Sequence, residues 1–212
     1  MAKRRKVNNL LGLALLALLM PGRPMHPYQM ASLLRQTGKD SDVKIKWGSL
    51  YTVVQNLEKN GFIESTSSDR DGKRPERTLY AITDAGRDET RDWLRELIAN
   101  PEPEFPRFAT ALSVAGVLPP DEVMSLLTRR VEALESSIKA QQLVLTTAAA
   151  VPRVFLIEAE YALAMTVAEL AWVRSLVTEI EDGTLDGVAG WRSYHETGLV
   201  PPEFDAMLEA GG

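Results

Sequence analysis

The sequence predicts a mainly helical α+β chain, and three observations lead to this prediction. Helical periodicity recurs along most of the 212 residues. Two short stretches, 62–66 and 78–82, alternate weakly between apolar and polar residues around a turn-rich segment, which predicts a two-stranded hairpin. Prolines cluster shortly after residue 100, so we expect one domain over 1–100 and a second domain of long helices over 101–212.

Four helices are predicted in the first domain. Pro27 suits the first turn of a helix, Gly61 favours the left-handed conformation that ends one, and Thr83 is a preferred capping residue. The apolar first helix follows the basic residues 3–6 and resembles a secretory signal. We expect a buried core helix instead, because no small-residue cleavage pattern follows and the run is too short to span a bilayer. The predicted helices cover 7–19, 27–36, 48–59 and 84–99.

The second domain is predicted to consist of helices throughout. Asp121 is expected to cap a long helix that ends near residue 148, and Pro152 is expected to start another that ends near residue 181. Helices of this length favour coiled or intermolecular packing, which predicts a C-terminal long-helix dimerisation domain. Shorter helices are expected over 107–117 and within 184–197.

Charge is unevenly distributed between the two domains. The whole chain has a net charge of −5, yet residues 1–100 carry 17 Lys and Arg against 12 Asp and Glu, whereas residues 101–212 carry 7 against 17. A basic first domain favours a polyanionic partner, with the basic tail 3–6 as a flexible arm near DNA phosphates. Chance segregation of solvated charges is the alternative.

The third predicted helix separates into an apolar stripe and a polar face. The stripe, expected to face the core, consists of Leu50, Val53, Val54 and Leu57. The opposite face is short and polar, and Gln and Asn on such a face can bond base edges in a major groove. An ordinary solvated amphipathic helix is the alternative interpretation. The polar face comprises Gly48, Thr52, Gln55, Asn56 and Lys59, flanked by Ser49 and Tyr51.

The tip of the predicted hairpin is basic. Arg70, Lys73, Arg74 and Arg77 surround Gly72. A basic tip of this kind can reach phosphates or enter a minor groove. A solvated charged turn is the alternative.

The order and spacing of these motifs resemble the PadR family of transcriptional regulators over about residues 7–90. The resemblance implies an N-terminal winged helix-turn-helix with a two-stranded wing, and a homodimer that binds an inverted repeat in double-stranded DNA, usually as a repressor. The matching segments are LLGLALL at 10–16, HPYQM at 26–30, GSLY at 48–51, LEKNGFI at 57–63 and GKRP at 72–75, with Gly86 beyond them.

The resemblance also implies roles for individual residues. Ser49 and Tyr51 fall in the recognition-helix motif, and Lys73, Arg74 and Arg77 fall in the wing motif. Two positions depart from the family pattern. Thr52 stands where proline is common, which adds a hydrogen-bonding group at the expected DNA face, and Glu76 places an acid in the wing.

Tyr28 carries two interpretations that the sequence leaves open. At the start of the second helix its hydroxyl could meet a phosphate, but tyrosine at such a position is equally a plausible core aromatic.

The sequence predicts neither catalysis nor a cofactor. His26 and His195, the only two histidines, fall in different predicted domains, and the chain contains no cysteine, so no metal site is expected. We expect a cytoplasmic regulator without a membrane association, released from DNA by an effector that the sequence does not identify. Aromatic residues of the second domain could line a pocket for a small molecule at the helical dimer, but core or interface packing is the favoured interpretation. The alternatives are a winged-helix protein-interaction module and a small-molecule-binding helical dimer without a DNA role.

Overall fold

The computed structural model of the chain describes residues 5–38, 47–66 and 78–199. The chain divides into two compact units, Met1–Glu104 and Phe105–Gly212. Throughout the described part of the chain, helices are either too short or too polar to cross a membrane.

The described residues of the first unit form four helices and a two-stranded antiparallel sheet, in the predicted order. In the sheet, Ile63 pairs with Ile82 and Thr66 pairs with Leu79. On the other edge, Met25 and Tyr80 exchange two backbone hydrogen bonds of 3.0 Å. The elements are α1 Leu10–Leu19, α2 Pro27–Gln36, α3 Trp47–Lys59, β1 Ile63–Thr66, β2 Leu79–Ile82 and α4 Asp84–Ala99.

The first helix starts later than predicted. Asn9 is its N-cap, and the Asn9 side chain accepts a hydrogen bond of 2.9 Å from the Leu11 amide, so residues 7 and 8 stay outside the helix. The apolar run is a core helix, as expected: its most buried side chains are at most 1% exposed. These side chains are Leu11, Leu15, Leu16 and Leu19.

The apolar stripe of α3 faces this core. Its four members are at most 4% exposed, which confirms the orientation predicted from the helical periodicity. Gly12 of α1 faces α3, and a Cβ atom there would be in ordinary van der Waals contact with Val53 Cγ1 at 3.6 Å and with Leu57 Cδ2 at 3.7 Å. The polar face of α3 is thereby fixed outward.

Gly61 ends α3 in the predicted left-handed conformation, with φ of +74°. The Gly61 amide donates to the Glu58 carbonyl at 2.8 Å, and the Phe62 amide donates to the Leu57 carbonyl at 3.0 Å. This pair of bonds is a Schellman motif, which satisfies carbonyls at the helix end and turns the chain into β1.

Thr83 joins the end of the sheet to α4. Its hydroxyl donates to the Gly61 carbonyl at 2.6 Å and accepts from the Gly86 amide at 3.1 Å, so one side chain caps α4 and holds the end of α3. Gly86 then passes against β1 so closely that a Cβ atom would lie 2.0 Å from the Phe62 carbonyl oxygen.

The second unit is built on two long antiparallel helices. Antiparallel pairing follows from contacts of Arg130 with Glu169 and of Gln141 with Thr166, since partner numbers rise on one helix as they fall on the other. The elements are α5 Arg107–Ser113, a 3₁₀ turn Ala115–Val117, α6 Pro120–Thr147, a second 3₁₀ turn Arg153–Phe155, α7 Ile157–Glu181 and α8 Val188–Thr197.

Two helix starts in this unit were predicted wrongly. Asp121 is not the cap of α6, because Pro119 occupies that position and Pro120 begins the helix, where its missing amide costs nothing. Pro152 begins a 3₁₀ turn rather than α7, which starts at Ile157. A proline fits the first turn of either helix type, so the sequence signal does not separate them.

Candidate nucleic-acid interface

The outer face of α3 presents polar side chains to solvent, as predicted. Tyr51 is 49% exposed, and Thr52, Gln55, Asn56 and Lys59 are also exposed, whereas Ser49 is half-buried. The core side of the same helix is packed against α1 and α2. A helix with a rigidly packed back and a short polar front has the shape and the donors that a major groove accepts.

The residues on either side of Tyr28 form the start of α2. His26 Nδ1 accepts a hydrogen bond of 3.2 Å from the Tyr28 amide, and Gln29 Oε1 accepts one of 2.9 Å from the His26 amide. Pro27 takes the first helical position and Met30 is fully buried. These four residues build the helix start.

Tyr28 does not belong to the core. The side chain is 59% exposed, which rules out the core-aromatic interpretation and leaves the surface interpretation. At this exposure a polyanion could reach the Tyr28 side chain.

The wing is described only at its base. Tyr80 of β2 is partly buried, and this burial, together with the nearby Glu58 carboxylate, raises the pKa of the phenol. The predicted wing contacts Lys73, Arg74 and Arg77, and also Glu76, lie outside the described residues.

Sequence reasoning missed one feature of this surface, a groove between α3 and the segment 6–9. The groove has a volume of about 340 Å³. Lys6, Asn8 and Asn9 line one wall, and Ser49, Thr52 and Asn56 of α3 line the other. The basic run 3–6 was the available signal, but it carried no information about which helix the segment packs against.

Within the part of the chain that the structure describes, no three His, Cys, Asp or Glu side chains are grouped so that they could hold a metal ion. The two histidines have local structural roles: His26 caps α2, and His195 Nε2 lies 3.0 Å from the Gly116 carbonyl oxygen.

Comparison with protein families agrees with the predicted resemblance. Residues 15–92 match the family described as the transcriptional regulator PadR-like family. This match runs from α1 to α4 and includes the α3 face and the predicted wing. No curated protein sequence matches the chain at a significant level.

Solved structures share the fold over most of the chain. Bacillus subtilis PadR in complex with operator DNA is 22% identical, with a TM-score of 0.65 over 80% of this chain and 98% of that chain. The same Bacillus subtilis protein in complex with p-coumaric acid is 21% identical, with a TM-score of 0.66 over 81% and 99%. The Vibrio cholerae virulence activator AphA is 16% identical, with a TM-score of 0.62 over 81% and 98%. At these identities the similarity concerns the fold, and it confirms the predicted winged-helix class.

Proposed function

Residues 15–92 of the chain match the transcriptional regulator PadR-like family, and from this match we propose that the protein is a sequence-specific DNA-binding repressor. It binds an inverted repeat in a promoter as a homodimer and leaves the DNA when a small-molecule effector binds. Its work is recognition rather than catalysis, in keeping with the family, and the expected location is the cytoplasm, with the chromosome.

The observation that carries this proposal is the outward polar face of α3 on a rigidly packed helix. Gln55 and Asn56 are exposed next to each other, and an amide side chain can bond the adenine edge with both of its polar groups. Thr52 and Tyr51 extend the same face toward the start of the helix. The proposal assigns base reading to this face.

Contacts with the DNA backbone are assigned to residues around this face. Tyr28 and Lys59 are exposed at the start of α2 and the end of α3 and would meet phosphates. Lys73, Arg74 and Arg77 of the wing would meet phosphates or the adjacent minor groove. Such contacts position the protein on the duplex without reading its sequence.

The homodimer is supported by the exposure of large apolar side chains in the second unit. No residue from 128 to 169 is buried, in a stretch that the structure describes throughout. Large apolar side chains are exposed there by half or more, and water contact with so many of them is unfavourable. A second copy, which presents the same apolar helices, would cover them in an isologous interface. The large apolar side chains exposed by half or more are Leu143, Val144, Val154, Phe155, Ile157, Tyr161 and Met165.

An effector would act through the spacing between the two recognition helices. Half-sites one helical turn apart require the two α3 helices to be about 34 Å apart. A ligand that binds better to a different packing of α6 and α7 would favour that packing and so move the DNA-binding units out of register. The p-coumaric acid complex of the Bacillus subtilis protein makes a small aromatic acid a reasonable first compound to try.

The proposal is tested by fluorescence anisotropy with DNA from upstream of the protein's own gene, in a salt series and with random competitor DNA. Binding that resists the competitor and weakens steeply with salt is expected. If binding to fragments selected from the whole genome is no tighter than to random DNA, the DNA-binding proposal is wrong and a protein-interaction module takes its place.

Variants separate base reading from backbone contact. Gln55→Ala or Asn56→Ala should cost about 1–3 kcal/mol on the operator and little on random DNA, since only the operator offers the matching base edge. Lys73→Ala with Arg74→Ala should weaken both complexes and reduce the salt slope by about 0.9 for each lost phosphate contact. An equal small loss on both DNAs for the α3 variants would mean that α3 only positions the protein.

A further inference from the structure

Arg5, in the basic run that precedes α1, is directed away from the α3 surface. Its guanidinium contacts three carboxylates of α4: Nη1 lies 2.7 Å from Glu89 and 3.4 Å from Asp92, and Nη2 bonds Glu96. The Trp93 ring lies below it, with 5.4 Å from the guanidinium carbon to the ring centroid. The Arg5 side chain is only 4% exposed, so this charge is used within the fold.

Val7 fixes the same segment two residues later. It is 7% exposed and belongs to the core cluster of the first unit. Val7 Cγ1 lies 3.2 Å from where a Cβ atom of Gly12 would be, so the absence of a side chain at Gly12 makes room for it. Lys6 is therefore held between two buried anchors, and Lys6 and Asn8 are themselves exposed.

Because the buried side chains of Arg5 and Val7 alternate with exposed Lys6 and Asn8, the two exposed side chains lie on the side of the segment that faces α3. Lys6 and Asn8 form a wall of the groove whose other wall is Ser49, Thr52 and Asn56. Two anchors on either side of Lys6 remove most of the backbone entropy that a flexible arm would lose on binding. We propose that segment 5–9 is a preformed DNA-contacting element, in which Lys6 binds a backbone phosphate beside the groove entered by α3 and Arg5 is the residue that positions it.

A phosphate is the ligand that this arrangement favours. An ammonium group on a flexible stem binds phosphate as a point charge and needs no fixed hydrogen-bond geometry. Among the residues that the structure describes, no ion pair joins Lys6 to a carboxylate, whereas Arg5 beside it contacts three. The inference rests on the proposed function, because it assigns a phosphate contact within the same DNA complex.

The test is Lys6→Ala in the full-length protein, measured by anisotropy on the operator across a salt series. The salt slope should decrease by about 0.9 for each arm that engages a phosphate, and the loss should be equal on operator and random DNA. Lys139→Ala is the matched control, because it removes an exposed lysine from α6 and should leave the slope unchanged. A wild-type slope in Lys6→Ala overturns the inference, while the tight binding of the wild-type protein still supports the proposed function.

The role of Arg5 is tested with a double-mutant cycle. If Arg5 acts by positioning Lys6, Arg5→Gln should lower the affinity of the wild-type protein but should have little further effect in Lys6→Ala. Thermal denaturation identifies the temperature at which all four proteins are folded, and the titrations are made below it. Additive losses would show that Arg5 only supports the fold and would overturn its positioning role. If Arg5→Gln does not fold, the salt slope of Lys6→Ala still tests whether Lys6 contacts a phosphate.

Discussion

The two units of the chain differ in how completely each covers its own apolar side chains. In the first unit, a single core cluster joins fifteen buried residues from the segment before α1 through α3 to both strands. In the second unit, the core cluster joins five buried residues, all near the start of α6, the end of α7 and α8. Both counts refer to the described residues. The difference between them shows that the first unit completes its core within the chain and that the second unit does not.

The difference follows from the shape of the elements. Short helices can surround a common centre, so the apolar stripes of α1, α2 and α3 meet one another within the same chain. Two antiparallel helices have only one contact line, and each presents a second apolar side to water unless another layer covers it. The N-terminal unit thus closes its core within the chain, whereas in the C-terminal unit the proposed homodimer would cover the apolar side chains that the chain leaves exposed.

The largest effect on stability is expected from adding a side-chain atom at Gly86, where α4 approaches the start of β1 most closely. In Gly86→Ala, the new Cβ atom would lie 2.0 Å from the Phe62 carbonyl oxygen and 2.9 Å from Ile82 Cγ1, and the backbone oxygen cannot rotate away. The free energy of unfolding of this unit should fall by about 3 kcal/mol or more. Chemical denaturation followed by circular dichroism measures it.

Gly116→Ala is the control for this substitution, because a Cβ atom there would meet nothing within 4 Å apart from its chain neighbours and its own helical turn. Its denaturation curve should match that of the wild-type protein. If Gly86→Ala is equally harmless, α4 can shift on β1, and the first unit is less rigid than its closed core suggests.

The next largest effect is expected on the exposed apolar surface of α6 and α7. Leu143 is 67% exposed and Met165 is 52% exposed. If a second copy covers this surface, a charge at either position would have to be desolvated when the dimer forms. Leu143→Glu with Met165→Glu should raise the dimer dissociation constant by about 100-fold, which corresponds to about 2.8 kcal/mol. Analytical ultracentrifugation over a concentration series measures the constant.

Ile98→Glu tests whether this effect is specific to α6 and α7. Ile98 is 83% exposed on α4, so the same charge enters an apolar position of the first unit. We expect an unchanged dissociation constant for this variant. A monomeric wild-type protein at micromolar concentration, or equal weakening by both changes, would contradict the idea that the long helices form the interface.

The same comparison explains which parts of the fold could be predicted from the sequence. The orientation of α3 was predictable because its apolar stripe repeats with the helical period, and its end was predictable because Gly61 needs a left-handed conformation. The starts of α6 and α7 were not, because prolines and acidic residues near a helix start fit more than one register.

The candidate site was predictable to the same extent. The polar face of α3 is a local property of thirteen residues and was recognised in the sequence. The groove beside it depends on Arg5 reaching Glu89, a contact across 84 positions, and on Val7 entering the core next to Gly12. Nothing in the local pattern of residues 5–9 specifies such partners, so the anchored segment was found only in three dimensions.

The smallest expected effect concerns the ion pair at the start of α7. Arg153 Nε donates to Glu160 Oε1 at 2.9 Å, and Nη2 donates to Oε2 at 2.9 Å, so the pair is bidentate. Hydrogen bonding to Arg153 lowers the pKa of the Glu160 carboxyl. Because the folded pKa lies below the unfolded one, any stabilisation by this pair is present above the unfolded pKa and is lost as the pH falls through the folded pKa.

Arg153→Gln should therefore raise the Glu160 midpoint toward its ordinary value, as measured by an NMR titration of the side-chain carboxyl carbon. Arg129→Gln removes an exposed arginine of α6 and should leave the midpoint where it is in the wild-type protein. Unfolding should change little in either variant, since the pair is exposed to solvent and screened by salt. An unchanged midpoint in Arg153→Gln would mean that the pair does not persist in solution.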